Sequence, residues 1–216
     1  MDNCEEVLKL LLEAVKSSDS KKTCDKNSSE VPVGISNRHI HLSQQDLEIL
    51  FGKDYKLTKI KDLSQPGQYA CKEVVTICGA KGAIEKVRIL GPVRSKTQVE
   101  VLIGDCIKLG AVPHVKLSGD LSQTSSITVV GPKGSLQLEE GLIVAQRHIH
   151  MTPEDAKNLG VHDGEIVSIK FDNLRGGVYN NVAIRANDAS CLECHLDIEE
   201  ANAMGINSKS KITIVK

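Results

Sequence analysis

The tetrapeptide Arg-His-Ile-His occurs twice, at Arg38–His41 and Arg147–His150, and those two copies hold four of the chain's seven histidines. The flanks match as well. An amide residue precedes each copy, Asn37 and Gln146, and an apolar residue and then a hydroxyl follow, Leu42-Ser43 and Met151-Thr152. Two such copies imply two related halves. In an extended segment side chains alternate sides, so the imidazoles of each His-Ile-His project together, about 7 Å apart at their Cα atoms, while the isoleucine packs behind them. Such a pair can grip one metal ion. Zinc favours imidazole nitrogen and takes three or four ligands, so each pair calls for further donors from elsewhere in the chain.

With 40% hydrophobic residues, a chain of 216 residues can bury a substantial core as one large domain or two small ones. Aromatic residues make up only 2% and Trp is absent, so the core is aliphatic and base-stacking recognition of nucleic acid lacks support. The 27 basic and 28 acidic residues leave a net charge of -1, with no basic block of the kind that forms a DNA-binding arm. No stretch reaches the roughly 18 apolar residues that cross a bilayer, and the N-terminus lacks a basic start followed by an apolar run. Neither nucleic acid nor a membrane is therefore expected as a partner, and the expected location is cytoplasmic. Seven cysteines, an odd number in a chain too long for a disulfide scaffold, fit a reducing compartment.

Val7, Leu8, Leu11, Leu12 and Val15 recur at helical spacing behind Glu5 and Glu6, which predicts a short amphipathic helix over Glu5–Val15. A Ser/Lys/Asp-rich stretch over Ser17–Glu30 reads as a flexible linker. The helix is then either an element packed on the body or a tethered peptide that docks in a partner's groove. From Val31 onward the pattern is short strands with glycine-containing turns. Val74–Cys78 and Lys86–Leu90 flank Gly79-Ala80-Lys81-Gly82, and Ile127–Val130 and Leu142–Ala145 flank Gly131-Pro132-Lys133-Gly134, so both stretches read as hairpins and look like one repeated unit.

Each His-x-His is followed by a hydroxyl residue suited to cap a helix. Ser43 precedes Gln44–Phe51, Thr152 precedes Pro153–Leu159, and Gly52 and Gly160 stand at the far ends. The predicted architecture is a β-rich α+β fold of two related small β-barrel domains with short capping helices and a cleft between them. Closed barrels would remove the strand edges that so many short strands would otherwise expose. Residues 1–30 form the helix and linker, 31–120 the first barrel and 121–216 the second. Exchange of strands between the halves stays open, because the hairpin follows His-x-His in the first half and precedes it in the second.

Two further side chains suit a metal. His195 lies in the alternating segment Cys194-His195-Leu196-Asp197 and could complete a three-histidine site, and Glu100 is a lone carboxylate between Val99 and Val101. Arg94 follows Gly91-Pro92-Val93 in a turn from which its planar fork could bind phosphate with two hydrogen bonds. On a straight strand Arg94 and Glu100 would stand roughly 20 Å apart, so a common site requires a bend. Cys191-Leu192-Glu193-Cys194-His195 matches the CxxCH haem-attachment pattern, but its strand-like context and the missing export signal argue against haem. Walker-type, Gly-x-Ser-x-Gly and Gly-x-Gly-x-x-Gly motifs are absent, so nucleotide-loop and serine-hydrolase readings have no support.

The stretches VPVGISNRHIHLS, RILGPVRSKTQVEV, GLIVAQRHIHMTPEDAKNLGV and ECHLDIEEANAMG together resemble the phosphate propanoyltransferase family, the PduL-type phosphotransacylases, from about Val31 to the C-terminus. The resemblance implies two β-barrel domains, two zinc ions per chain, and reversible acyl transfer between coenzyme A and inorganic phosphate, with propanoyl as the expected acyl group. It implies that His39, His41 and Glu100 hold one zinc, that His148, His150 and His195 hold the other, and that Arg94 is the catalytic residue that binds phosphate. Coenzyme A contacts are implied for Ile35, Ser36, Asn37, Lys81, Arg88 and Asn202. Some members of the family work in propanediol degradation inside bacterial microcompartments and carry an N-terminal helix and linker as an encapsulation tag. Residues 1–28 resemble that arrangement, which implies shell or core proteins as partners and the microcompartment lumen as a location. A homo-oligomer is compatible with the sequence. Two other function classes fit the same histidines, a non-catalytic structural zinc protein and a zinc thioester hydrolase.

Overall fold

A computed structural model of the protein describes residues 30–215. The helix expected over residues 5–15, the encapsulation segment 1–28, and the linker except for Glu30 lie outside the described residues. The described part holds fourteen strands and four short helices, and no helix among the described residues is long and apolar enough to cross a membrane. The strands close into two barrels.

In chain order the first barrel contains β2 (His39–His41), α1 (Gln44–Phe51), β3 (Lys59–Asp62), β4 (Tyr69–Cys78), β5 (Ala83–Gly91) and β6 (Gln98–Val101). It continues with α2 (Ile103–Leu109), β7 (Val115–Lys116), β8 (Ser125–Val130) and β9 (Ser135–Ala145). Its ring runs β4-β5-β2-β6-β9-β8 and returns to β4, with β3 and β7 as added edges. The second barrel contains β10 (His148–Met151), α3 (Pro153–Leu159), β11 (Ile166–Phe171), β12 (Gly177–Ala186), β13 (Glu193–Asp197), α4 (Ile198–Met204) and β14 (Lys211–Val215). Its ring runs β11-β12-β10-β13-β1-β14, and the strand that completes it is β1 (Glu30–Ser36), from the opposite end of the chain.

Laid side by side, the rings match strand for strand. β2 pairs parallel with β5 and antiparallel with β6, and β10 pairs parallel with β12 and antiparallel with β13. The repeat is therefore a tandem one, His-x-His strand, helix, hairpin, ligand strand, helix, and the final strand of the second copy is supplied by β1 in the place that β9 takes in the first. Two sequence expectations change accordingly. The division at residue 120 falls inside the first barrel, since β8 and β9 pair with β4 and β6, whereas β1 belongs to the second. The hairpin β8–β9 is not the counterpart of β4–β5; that counterpart is β11–β12.

The likeness of the two G-x-K-G turns has a separate cause. The Lys81 backbone N–H donates to the Leu109 carbonyl at the end of α2 (3.0 Å), and Lys133 N–H donates to the Leu50 carbonyl near the end of α1 (3.0 Å). Each turn thus satisfies a helix-terminal carbonyl that would otherwise lack a donor. Gly79 and Gly131 permit the approach, because a Cβ there would lie 2.3 Å from the Leu109 oxygen and 2.6 Å from the Leu50 oxygen.

The helices begin where the cap residues predict. Ser43 Oγ accepts from the Asp46 N–H, and Thr152 and Asp155 form a reciprocal capping box. Each barrel has its own aliphatic core, and the central isoleucines of the two motifs, Ile40 and Ile149, are fully buried in them. Replacing Ile149 by alanine should lower unfolding free energy by about 2–5 kcal/mol, the usual cost of emptying a well-packed site of this size. A denaturant midpoint unchanged by that substitution would show that the motif does not anchor the barrel core.

Candidate active site

Each cluster of donors is built by strand register. Across the antiparallel pair β2–β6, His39 stands opposite Glu100 and His41 opposite Gln98; across β10–β13, His148 stands opposite His195 and His150 opposite Glu193. Adjacent strands present paired residues on the same face, so the side chain directly across from the first histidine completes a triad. The ligand-capable atoms of His39, His41 and Glu100 lie within 4.8 Å of one another, and those of His148, His150 and His195 do likewise. Both triads line one chamber of about 490 Å³ between the barrels.

The hydrogen bonds fix which nitrogens face inward. His39 Nδ1 donates to the Asn37 carbonyl (2.7 Å), His41 Nδ1 to the Leu90 carbonyl (3.2 Å) and His148 Nδ1 to the Gln146 carbonyl (2.8 Å). An imidazole that gives its Nδ1 proton to a carbonyl keeps a bare lone pair on Nε2. His148 Nε2 lies 3.1 Å from His150 Nε2, and His39 Nε2 lies 3.4 Å from Glu100 Oε2. Those spacings approach the ~3.3 Å edge of a tetrahedron with zinc-to-nitrogen bonds of about 2.0–2.1 Å. His195 Nε2 is 2.7 Å from Glu193 Oε2, a carboxylate–histidine pair of the kind that orients a metal-binding imidazole, and Ser64 Oγ donates to the same carboxylate oxygen. His150 Nδ1 is a buried side-chain polar atom without a hydrogen-bond partner among the described residues. The donor sets therefore fit divalent metal ions.

Electrostatics favour the same state. Burial, reinforced by the charge on His39 and Arg94, lowers His41 to about 3. Burial and neighbouring imidazoles lower His148 to about 4 and His150 to about 3, so these rings are neutral at neutral pH, the state in which an imidazole can ligate a metal. Burial alone would raise Glu100, but His39 beside it holds the carboxyl well below the usual range, and it stays ionised. Burial likewise opposes protonation of His39, yet the Glu100 carboxylate raises its pKa overall.

Arg94 reaches the chamber because the chain runs on past β5 alongside the end of β2 before it reverses into β6. Its backbone pairs with Ser43 beyond the end of β2, its N–H donates to the Leu42 carbonyl (2.9 Å), and its Nη1 donates to Ser118 Oγ (2.9 Å). Arg94 and Glu100 thus come to the chamber from opposite flanks of β2, which supplies the bend that a common site requires. Ile35, Ser36, Asn37 and Arg88 also line the chamber, with Arg88 additionally held by the Cys71 and Lys72 carbonyls (2.9 Å each). Lys81 and Asn202 do not line it. Lys81 is exposed on the β4–β5 turn and Asn202 is exposed on α4, whose Glu199 accepts from Gly104 N–H at the start of α2. Cys194 is buried in the core of the second barrel, where burial pushes its thiol up, and Cys191 is exposed; neither lines the chamber.

Several residues that line the chamber escaped the sequence reading, as did Gln98, which is bonded to the chamber residues Glu100 and Ser118. Gln98 and Glu193 stand two residues before Glu100 and His195, so strand alternation alone puts them on the same faces. Ser64, Ser118 and Arg185 carry no comparable local signal.

Fold and site together define a double-barrel protein in which two triads able to hold a metal ion, one from each barrel, open onto a single chamber. Residues 32–207 match the phosphate propanoyltransferase family, and the chain belongs to it. It is 48% identical over 192 residues to the phosphate propanoyltransferase of Rhodobacter capsulatus, covering 89% of each chain. It is 51% identical over 185 residues to that of Thermotoga maritima, covering 85% of this chain and 88% of the relative. It is 55% identical over 178 residues to that of Priestia megaterium, covering 82% of each. The family is one of acyltransferases.

Proposed function

We propose that this chain is a phosphate acyltransferase that interconverts acyl-CoA and phosphate with acyl phosphate and coenzyme A, propanoyl being the acyl group. The observation that carries this reading is the pair of three-donor triads that share one chamber with Arg94. Zinc would be held by His39, His41 and Glu100 in the first barrel and by His148, His150 and His195 in the second. A zinc with three protein donors would be open to sulfur, carbonyl or phosphate oxygen, whereas a structural zinc site is closed by four. The chemistry that bound zinc supplies is Lewis-acid stabilisation of charge developing on the carbonyl oxygen and the departing thiolate.

The protein's own part is orientation. Arg94, held at its backbone and at one guanidinium nitrogen, presents its remaining N–H groups to a phosphate oxyanion and fixes it as a nucleophile. A phosphate oxygen forms a bond to the thioester carbon as the carbon–sulfur bond breaks, and the proton shed by phosphate ends on the coenzyme A sulfur. No cysteine among the described residues lines the chamber, so direct transfer is favoured over an acyl-cysteine intermediate. Coenzyme A would enter past Ile35, Ser36 and Asn37 with Arg88 beside them, leaving Lys81 and Asn202 to meet its nucleotide end outside the chamber.

The test is coenzyme A release from propanoyl-CoA with and without phosphate, before and after chelation. Release should require phosphate, stop on chelation and return with zinc. Phosphate-independent release would instead mark a zinc thioester hydrolase, and the absence of any release a structural zinc protein.

A further inference from the structure

Arg185 lies on β12 between Ile184, buried in the barrel core, and Ala186. Alternation along the strand turns it to the opposite face from Ile184, and the parallel register with β10 sets it directly beside His150. It lines the chamber, half-buried, and among the described residues no hydrogen bond or ion pair involves its side chain. The carboxylates nearest the chamber are committed elsewhere. Glu100 faces His39 and His41 and accepts from Gln98 Nε2 (2.6 Å), Glu193 is bonded to His195 and Ser64, and Asp197 caps α4 by accepting from the Glu200 N–H (2.9 Å). A partly desolvated cation without a counter-ion calls for an anion from outside the chain.

The wall contributed by the first barrel is built to meet that anion. Gly119 N–H donates to Gln98 Oε1 (2.8 Å), which fixes the amide so that its Nε2 donates to Ser118 Oγ (2.8 Å). Ser118 Oγ also accepts from Arg94 Nη1 (2.9 Å). A hydroxyl oxygen has two acceptor sites and both are taken, so the Ser118 O–H is left to donate into the chamber it lines. Arg94 has its pKa lowered by burial, offset by Glu100 and lowered further by the charge of Arg185, so the two guanidiniums act on each other through the space between them. Two like charges that share a chamber are relieved by a dianion placed between them.

We propose that Arg185 is a substrate-binding residue that grips the phosphate dianion from the second barrel, opposite Arg94 and Ser118. This rests on the phosphate acyltransferase reading for the identity of the anion. The subsite then spans the seam, and phosphate is held only when both barrels contribute.

The same chemistry could serve the phosphates of coenzyme A, and kinetics separate the two sources. In the full-length, metal-loaded protein, Arg185→Gln should raise the KM for phosphate by about 10–100-fold, the range expected for losing a charge-assisted hydrogen bond, and leave the KM for propanoyl-CoA within about twofold. Arg185→Lys, which keeps the charge but loses the fork, should recover part of that loss. A rise confined to the KM for propanoyl-CoA, or no change in either KM, overturns the proposal. Calorimetric titration of the parent and both variants with inorganic phosphate reads the subsite without turnover. If the parent protein binds phosphate in an Arg185-dependent way but releases no coenzyme A, the acyltransferase reading fails while this subsite stands. If Arg185→Gln binds phosphate as well as the parent, the subsite fails.

Discussion

Replacing His41 by alanine should cost about one bound zinc per chain and lower kcat/KM for phosphate-dependent coenzyme A release by roughly 10³-fold. The size follows from withdrawing Lewis-acid stabilisation worth several kcal/mol, at ~1.36 kcal/mol per decade of rate. His41 is the deepest member of its triad, only 2% exposed, with its Nδ1 proton committed to the Leu90 carbonyl and its Nε2 turned to Glu100. Nothing adjacent can take its place, because the residue across the strand pair is Gln98, whose amide nitrogen already serves Glu100 and Ser118. Metal analysis and the coupled assay are read together with circular dichroism, so that loss of ion is separated from loss of fold. Full zinc content and near-parental turnover in a folded variant would remove this triad from the active site.

Arg94→Ala should have the second-largest effect, a fall of roughly 10²–10³-fold in kcat/KM for phosphate. That range corresponds to losing two charge-assisted hydrogen bonds at about 1.5–3 kcal/mol each, less what solvent returns. The substitution also strips one donor from Ser118, which frees that hydroxyl to turn away from the chamber. The affinity for propanoyl-CoA should change little, and Arg94→Lys should lie between, since an ammonium keeps the charge without the planar fork. An Arg94→Ala protein with an unchanged KM for phosphate would place the nucleophile elsewhere in the chamber.

Much of the fold was legible locally. The alternation of Val99-Glu100-Val101 and Cys194-His195-Leu196 marks β6 and β13, and the hydroxyl residues behind each His-x-His mark the starts of α1 and α3. The misjudged part was long-range. The turns at Gly79–Gly82 and Gly131–Gly134 look like copies of one unit, but their likeness comes from a shared task, closing on a helix-terminal carbonyl, and not from equivalent places in the two barrels. The exchanged strand β1 could not be placed either. Its Val31 and Val33 are a generic apolar alternation that would complete either barrel, and only packing against Ile212 and Cys194 decides which.

By itself the sequence determined which side chains travel together, because a strand's two-residue period ties His39 to His41, His148 to His150, Gln98 to Glu100 and Glu193 to His195 whatever surrounds them. Tertiary structure alone decided which of these pairs meet, and that Arg94, Ser118 and Arg185 look into the same chamber. The reason is that register between distant strands is set by burial of the opposite faces, Ile40 with Val99 and Ile149 with Cys194, and such nonlocal packing leaves no periodic trace in the chain.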